Sequence, residues 1–168
     1  MDDQVFIYDT YVATTRERLW DALTNPDTTE QFWSGNRLIS DWAIGSPVRL
    51  LDGDMVRDEG EVLDFVPCQR MSFSWKPHFA IEFAAEQGTP IAFAESEAGH
   101  ETRVGFAISE FGPQLRLTLT HDHFAPDSKL FPIISFGWPF YMASLKSLLE
   151  SGAGLELPAG AKVGRGAN

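Results

Sequence analysis

Ser135-Phe136-Gly137-Trp138-Pro139-Phe140-Tyr141-Met142-Ala143-Ser144-Leu145-Lys146-Ser147-Leu148-Leu149-Glu150-Ser151-Gly152 is the stretch that decides the fold. Trp138, Tyr141, Met142, Leu145, Leu148 and Leu149 recur at i, i+3, i+4 and i+7, which places them on one stripe of a long amphipathic helix. Ser144, Ser147 and Glu150 fall off that stripe. Ser135 reads as the cap, Pro139 as a first-turn proline whose missing N–H costs little, and Gly152 as the stop. A helix with one wide apolar face needs an apolar surface to bury it against.

The residues upstream supply that surface as strands. Leu115 to Phe124 alternates, with Leu115, Leu117, Leu119, His121 and His123 on one face. Thr102 to Ser109 sets Val104, Phe106 and Ile108 against Arg103, Gly105 and Ala107. Arg70 to Lys76 sets Met71, Phe73 and Trp75 against Ser72, Ser74 and Lys76. Gly60 to Val66, Pro47 to Leu51 and Arg37 to Trp42 read as further strands, punctuated by Gly45-Ser46-Pro47, Asp52-Gly53-Asp54 and Pro67. The chain opens with a strand, Gln4 to Ala13. A capping box follows, with Thr14 as cap and Glu17 reaching back, and then a short helix carrying Leu19, Trp20 and Leu23. Asn25-Pro26 ends that helix and starts a second, which carries Phe32 and Trp33 and stops near Gly35.

Hairpin-linked strands imply an antiparallel sheet, and the long helix is the element able to cover its apolar face. The expected class is therefore α+β, a helix-grip fold: a curved antiparallel sheet of about six to seven strands around a long C-terminal helix, with two short helices after the first strand. Residues 1–152 are expected to form one domain, with 77–101 an atypical insertion or lid, and 153–168 a flexible tail rich in Gly and Ala.

A chain of 168 residues with 43% hydrophobic and 12% aromatic side chains buries a core without a disulfide or metal. The formal net charge of -11 repels phosphate backbones and anionic lipid heads, which argues against nucleic acid as a partner. Cys68 is the one cysteine, the N-terminus lacks a signal-peptide pattern, and no apolar run is long enough to span a membrane. A cytoplasmic location is the expectation.

An ordered set of short motifs resembles a known family. It comprises Thr14-Thr15-Arg16-Glu17-Arg18-Leu19-Trp20-Asp21-Ala22-Leu23-Thr24-Asn25-Pro26, Gln31-Phe32-Trp33, Ser40-Asp41-Trp42, Gly45-Ser46-Pro47 and Gly60-Glu61-Val62-Leu63 with Pro67. Met71-Ser72-Phe73-Ser74-Trp75, Leu117-Thr118-Leu119-Thr120-His121, Gly137-Trp138-Pro139 and Leu145 to Gly152 complete it. The set is similar to the activator-of-heat-shock-protein-90-ATPase homologues, within the START and pollen-allergen-like helix-grip superfamily. The resemblance implies the same fold, a small-molecule or chaperone-related role and a link to stress responses. It departs from the family over 77–101 and in the C-terminal tail.

Candidate site residues follow from the inward faces. Phe73, Trp75, Phe106, Leu119, His121, Trp138, Tyr141 and Met142 are expected to line a space between sheet and helix, either a ligand cavity or a filled core. His121 is the candidate acid or base if any catalysis occurs, against the plainer reading of a hydrogen-bonded core histidine. His121 and His123 supply too few ligands for zinc, and His78 and His100 lie elsewhere in the chain, so neither metal nor cofactor is expected. Arg49 and Glu61 are expected to face each other across a hairpin. Asp41 reads as a turn residue beside Trp42, and Glu82 as a solvent-face carboxylate. The leading expectation is a domain that holds an apolar or amphipathic small molecule. The alternatives are a chaperone co-factor or other protein-interaction module, and a cyclase- or hydrolase-like enzyme using His121.

Overall fold

The computed structural model describes residues 3–77 and 99–158. Seven strands form one antiparallel sheet: β1 (Phe6–Val12), β2 (Asn36–Ser40), β3 (Pro47–Asp52), β4 (Met55–Val66), β5 (Arg70–Pro77), β6 (Thr102–Phe111) and β7 (Gln114–Asp122). Their order across the sheet is β1-β7-β6-β5-β4-β3-β2, so β1, the first strand in sequence, closes one edge against the last. Helices α1 (Arg16–Thr24) and α2 (Pro26–Phe32) follow β1, and α3 (Leu130–Ser151) follows β7. This is an α+β helix-grip fold: a curled antiparallel sheet that grips α3, with the two short helices after the first strand.

The core lies between the inner face of the sheet and the helices. Val12, Leu38, Val48, Leu50, Val62, Met71, Phe73, Val104, Phe106, Leu117 and Leu119 come from the strands, and Met142 and Leu145 from α3; all are buried. Alternation along the strands delivers this face, because successive side chains point to opposite sides. Leu19, Ala22 and Leu23 of α1 and Phe32 of α2 close the end.

Four local expectations are corrected by tertiary contacts. Thr15, not Thr14, caps α1: its Oγ1 accepts the Arg18 N–H at 3.3 Å, while Thr14 Oγ1 is buried without a partner. The α3 helix starts at Leu130 rather than near Ser135, so Pro139 lies in its interior. The early turn forms because Leu130 is buried, Ser128 Oγ accepts its N–H at 3.2 Å, and Phe131 packs on Phe124 at 5.2 Å between ring centroids. Burial of an apolar first turn outweighs the one hydrogen bond that Pro139 removes. The β4 strand begins at Met55, with a bulge against Leu50 and Leu51. Arg49 therefore stands opposite Glu59, and Glu61 opposite Pro47, so the expected Arg49–Glu61 pair is not a direct cross-strand pair. Finally, β7 ends at Asp122: His123 has φ of 62° and is exposed, so it leaves the face that His121 occupies.

Beyond α3, Gly152 stops the helix in the left-handed region and the chain turns back along it. Ser147 Oγ donates to Ala153 O at 2.7 Å, and Ser144 Oγ accepts the Leu155 N–H at 2.9 Å. This explains why Ser144, off the predicted apolar stripe, is fully buried. Most of the expected 77–101 insertion, including His78 and Glu82, and the tail from 159 onward lie outside the described residues.

Candidate functional site

The inner face carries a connected set of aromatic rings at the end of the sheet where β5 leaves and β6 enters. Trp75 sits on β5 and Phe73 two residues before it, with ring centroids 5.5 Å apart. Phe106 on β6 contacts Phe73 at 6.4 Å and meets Trp138 of α3 edge-on at 6.1 Å. Trp33, the residue that ends α2, joins the set from the other side. Its ring stacks on Trp75 at 6.1 Å and tilts against Trp138 at 5.2 Å and Tyr141 at 5.9 Å. Offset and edge-on arrangements of this kind suit the ring quadrupoles. All eight candidate residues, Phe73, Trp75, Phe106, Leu119, His121, Trp138, Tyr141 and Met142, are buried on the inner side.

His121 is bound on both ring nitrogens. Trp138 has a single polar group, the indole N–H, which donates to His121 Nδ1 at 3.0 Å. Nδ1 is thus the acceptor, so Nε2 carries the proton and donates to Thr102 Oγ1 at 2.8 Å. The Thr102 hydroxyl in turn donates to the Trp75 carbonyl at 2.9 Å. One chain of hydrogen bonds therefore ties α3 to β7, β6 and β5, and its direction is set by the one group that can only donate. Burial of the ring, offset in part by the nearby Asp122 carboxylate, lowers the His121 pKa from 6.5 to about 3. The ring is neutral at physiological pH and its one lone pair is engaged, so it has no free site with which to take a proton from a ligand. Asp122 itself points to the outer face, where both its oxygens accept from Arg103, at 3.0 and 2.6 Å.

A second polar group was not legible in the sequence. Asp58 of β4 stands opposite Leu50 on one side and Pro77 on the other, and shares the inner face with Val62 and Trp75. It is half-buried. Burial pushes its pKa up from 3.8 to about 7, although the adjacent Arg57 draws it down. Arg57 is engaged elsewhere: it donates to Asn36 Oδ1 at 3.4 Å, and Asn36 Nδ2 donates to the Trp33 carbonyl at 2.7 Å. Arg57 and Asn36 thus form a polar link to the end of α2 at Trp33. Among the described residues no three His, Cys, Asp or Glu side chains gather to hold a metal ion. His100 bonds the His123 carbonyl through Nε2 at 2.8 Å, away from His121.

Trp33, Thr102 and Asp58 are the site residues that sequence reasoning missed. Phe32-Trp33 before a glycine turn signals an aromatic helix end, but not its target. Thr102 opens a strand, and Asp58 precedes the strand expected from Gly60, so its inward place follows only from the early start of β4 at Met55 and its bulge against β3.

The two shifted groups act oppositely on stability. His121 has a folded pKa below its unfolded value, so its contribution is complete above about pH 6.5 and is lost as pH falls toward 3. Asp58 has a raised folded pKa, so its contribution is complete below about pH 4 and is lost as pH rises through 7. The two slopes oppose each other between about pH 4 and 6.5. Asp58→Asn is therefore expected to gain stability relative to wild type as pH rises from about 4 to 8, read by urea unfolding across that range. A difference that does not change with pH would show that Asp58 titrates normally.

A family model described as activator of Hsp90 ATPase homolog 1-like protein matches residues 13–150. Among curated proteins none matches. The fold is similar to that of the Aha1 dimer from Colwellia psychrerythraea, at TM-score 0.65 and 19% identity, covering 90% of this chain and 99% of that one. It is similar to DynU16, from the dynemicin biosynthetic locus, at TM-score 0.67 and 21% identity, covering 91% of this chain and 49% of that one. PFC0360w, an HSP90 activator from Plasmodium falciparum, is similar at TM-score 0.59 and 17% identity, covering 80% of this chain and 86% of that one.

Proposed function

The chain belongs to the activator of Hsp90 ATPase homolog 1-like family, and from that premise we propose that it binds an apolar or amphipathic small molecule between the inner face of the sheet and α3. The observation that carries this reading is the convergence of Trp33, Trp75, Trp138 and Tyr141, from three separate elements, on the inner face that the half-buried Asp58 shares. Ligand sites are mostly apolar and aromatic with a few polar groups that fix orientation. The buried, neutral His121 serves this reading as a strut for Trp138 rather than as a base. The likeness to a protein from a biosynthetic locus for a small molecule supports the same reading.

The test is a melting-temperature screen of the full chain against neutral aromatic probes such as N-phenylnaphthylamine. A ligand at about one hundred times its Kd stabilises by about 2.7 kcal/mol. The expected result is a saturable rise in melting temperature, lost in Trp33→Ala. Saturating probe concentrations that leave the transition unmoved would sink the reading.

A second reading, a chaperone co-factor, draws on the family and on exposed apolar side chains: Ile7 and Tyr11 of the edge strand β1, and Phe111 at the end of β6, whose ring lies 4.8 Å from that of Tyr11. Chaperone ATPase measured with and without the protein decides it: stimulation lost in Ile7→Asp would favour this reading, and no effect at high concentration would end it.

A further inference from the structure

We propose that the outer corner of the sheet beside the β6–β7 hairpin docks a segment of a partner protein that carries an Asp or Glu next to a bulky apolar side chain, with that carboxylate held by Arg116. This rests on the exposed patch of the second reading above and names the chemistry of its partner. It does not require the partner to be a chaperone.

The placement of Arg116 carries the inference. On β7 it stands opposite Tyr11 of β1 and Ser109 of β6. Its neighbours Leu115 and Leu117 are buried in the core, so alternation sends Arg116 to the outer face. Phe111 lies two residues beyond Ser109 on β6, and its ring meets that of Tyr11 at 4.8 Å on the face that Arg116 shares. Arg116 is only partly exposed there, and its Nε is buried with no hydrogen-bond partner. A buried donor left unmet costs free energy, which an acceptor recovers. The acceptor that fits a guanidinium is a carboxylate, which takes two parallel N–H bonds from its planar fork.

The carboxylates of the surrounding elements are turned elsewhere. Asp9 of β1 accepts from Thr118 Oγ1 at 2.5 Å, Glu110 of β6 lies 3.9 Å from Arg16, and Glu150 of α3 pairs with Lys146 at 2.5 Å. None of the ion pairs among the described residues includes Arg116. Around it the surface is apolar: Ile7, Tyr11 and Phe111 are 63%, 40% and 56% exposed. Aromatic residues around an arginine are the composition of protein interfaces and of their strongest contacts. The net charge of -11 sets a second copy of this chain against the surface. The same field acts on an acidic partner, so the pair forms at contact range, where salt screens a half-buried pair less than it screens the long-range repulsion.

The probes are an acetylated and amidated peptide, Glu-Leu-Phe-Glu-Leu, and its isostere Gln-Leu-Phe-Gln-Leu. Each is titrated into the full chain at about 0.15 M salt and followed by nuclear magnetic resonance. The glutamate peptide is expected to bind wild type about ten-fold tighter than the glutamine peptide, the worth of one charge-assisted pair, and to move the Arg116 Nε–H resonance downfield. Arg116→Gln is expected to bind both peptides at the level of the glutamine peptide. Arg116→Lys, which keeps the charge without the fork, is expected to retain about a three-fold preference. Equal binding of the two peptides to wild type would overturn the inference, and so would binding of neither. A preference that survives in R116Q would overturn the role of Arg116. Sedimentation of the chain alone tests the other occupant: a wild-type dimer that R116Q dissolves would put a second copy on this corner and overturn the inference. Chaperone stimulation without a glutamate preference would sink this inference and leave the second reading standing. The wild-type comparison and the resonance shift hold even if R116Q fails to fold.

Discussion

His121→Ala is expected to destabilise the protein by about 4 kcal/mol, which lowers the melting temperature by roughly 10 °C. The ring is fully buried, so its removal leaves a cavity beneath Phe124 and Trp138, whose rings lie 4.6 and 6.2 Å from it. The loss is compounded because the Trp138 N–H, which can only donate, and the Thr102 hydroxyl lose a partner where water has little access. His121→Phe separates the two effects. It fills most of the volume yet offers neither nitrogen, and should cost about 2 kcal/mol. Urea unfolding of wild type and both variants at neutral pH measures this. Equal costs for alanine and phenylalanine would mean that the hydrogen bonds carry the stability and the volume none; a phenylalanine variant as stable as wild type would mean the reverse. The comparison also bears on the enzyme alternative. A histidine whose loss removes stability, and whose pKa near 3 leaves it uncharged, acts as a structural joint between α3 and three strands.

Gly60→Ala is expected to cost about 3 kcal/mol or to prevent accumulation of folded protein. A Cβ built on Gly60 would overlap the Ser74 carbonyl, a backbone atom that cannot swing away as the end of a side chain can. The approach is this close because Ser74 Oγ accepts the Glu61 N–H at 3.0 Å, drawing β5 onto β4. Opening that gap would displace Phe73 and Trp75 on β5, and with them the ring set that Trp33 and Trp138 complete. Gly105→Ala is the matched control. It also lies in a strand, but an added Cβ would meet only ordinary contacts, with Met71 O at 3.7 Å and Ser72 Cβ at 3.8 Å. Its cost should stay within about 0.5 kcal/mol. Thermal unfolding of both variants checks the contrast, and a G105A loss as large as that of G60A would contradict the close-approach argument.

Much of the site was legible before any coordinates. Phe73, Trp75, Phe106, Leu119 and His121 follow from strand alternation, and Trp138, Tyr141 and Met142 from the helical stripe, because both periods are properties of the local backbone. The fold followed for the same reason: each apolar face had one possible cover. What the pattern did not carry was partnership. His121 is the clearest example. Alternation put it on the inner face, but its state depends on Trp138 and Thr102, 17 and 19 residues away in sequence. His123 shared its parity and still left the face, because the strand ended one residue earlier with a left-handed turn.

The sequence by itself determined the α+β grip, the order of its elements and which residues line its interior, because period and polarity are written residue by residue. Only the tertiary structure decided that Trp33 completes the ring set, that His121 is a neutral strut, and that Asp58 turns inward through a bulge. Each of these depends on which atoms, far apart in the chain, lie within hydrogen-bonding or van der Waals distance. A carboxyl's proton affinity and a ring's hydrogen bonds belong to the surroundings, and the surroundings exist only once the sheet has closed on the helix.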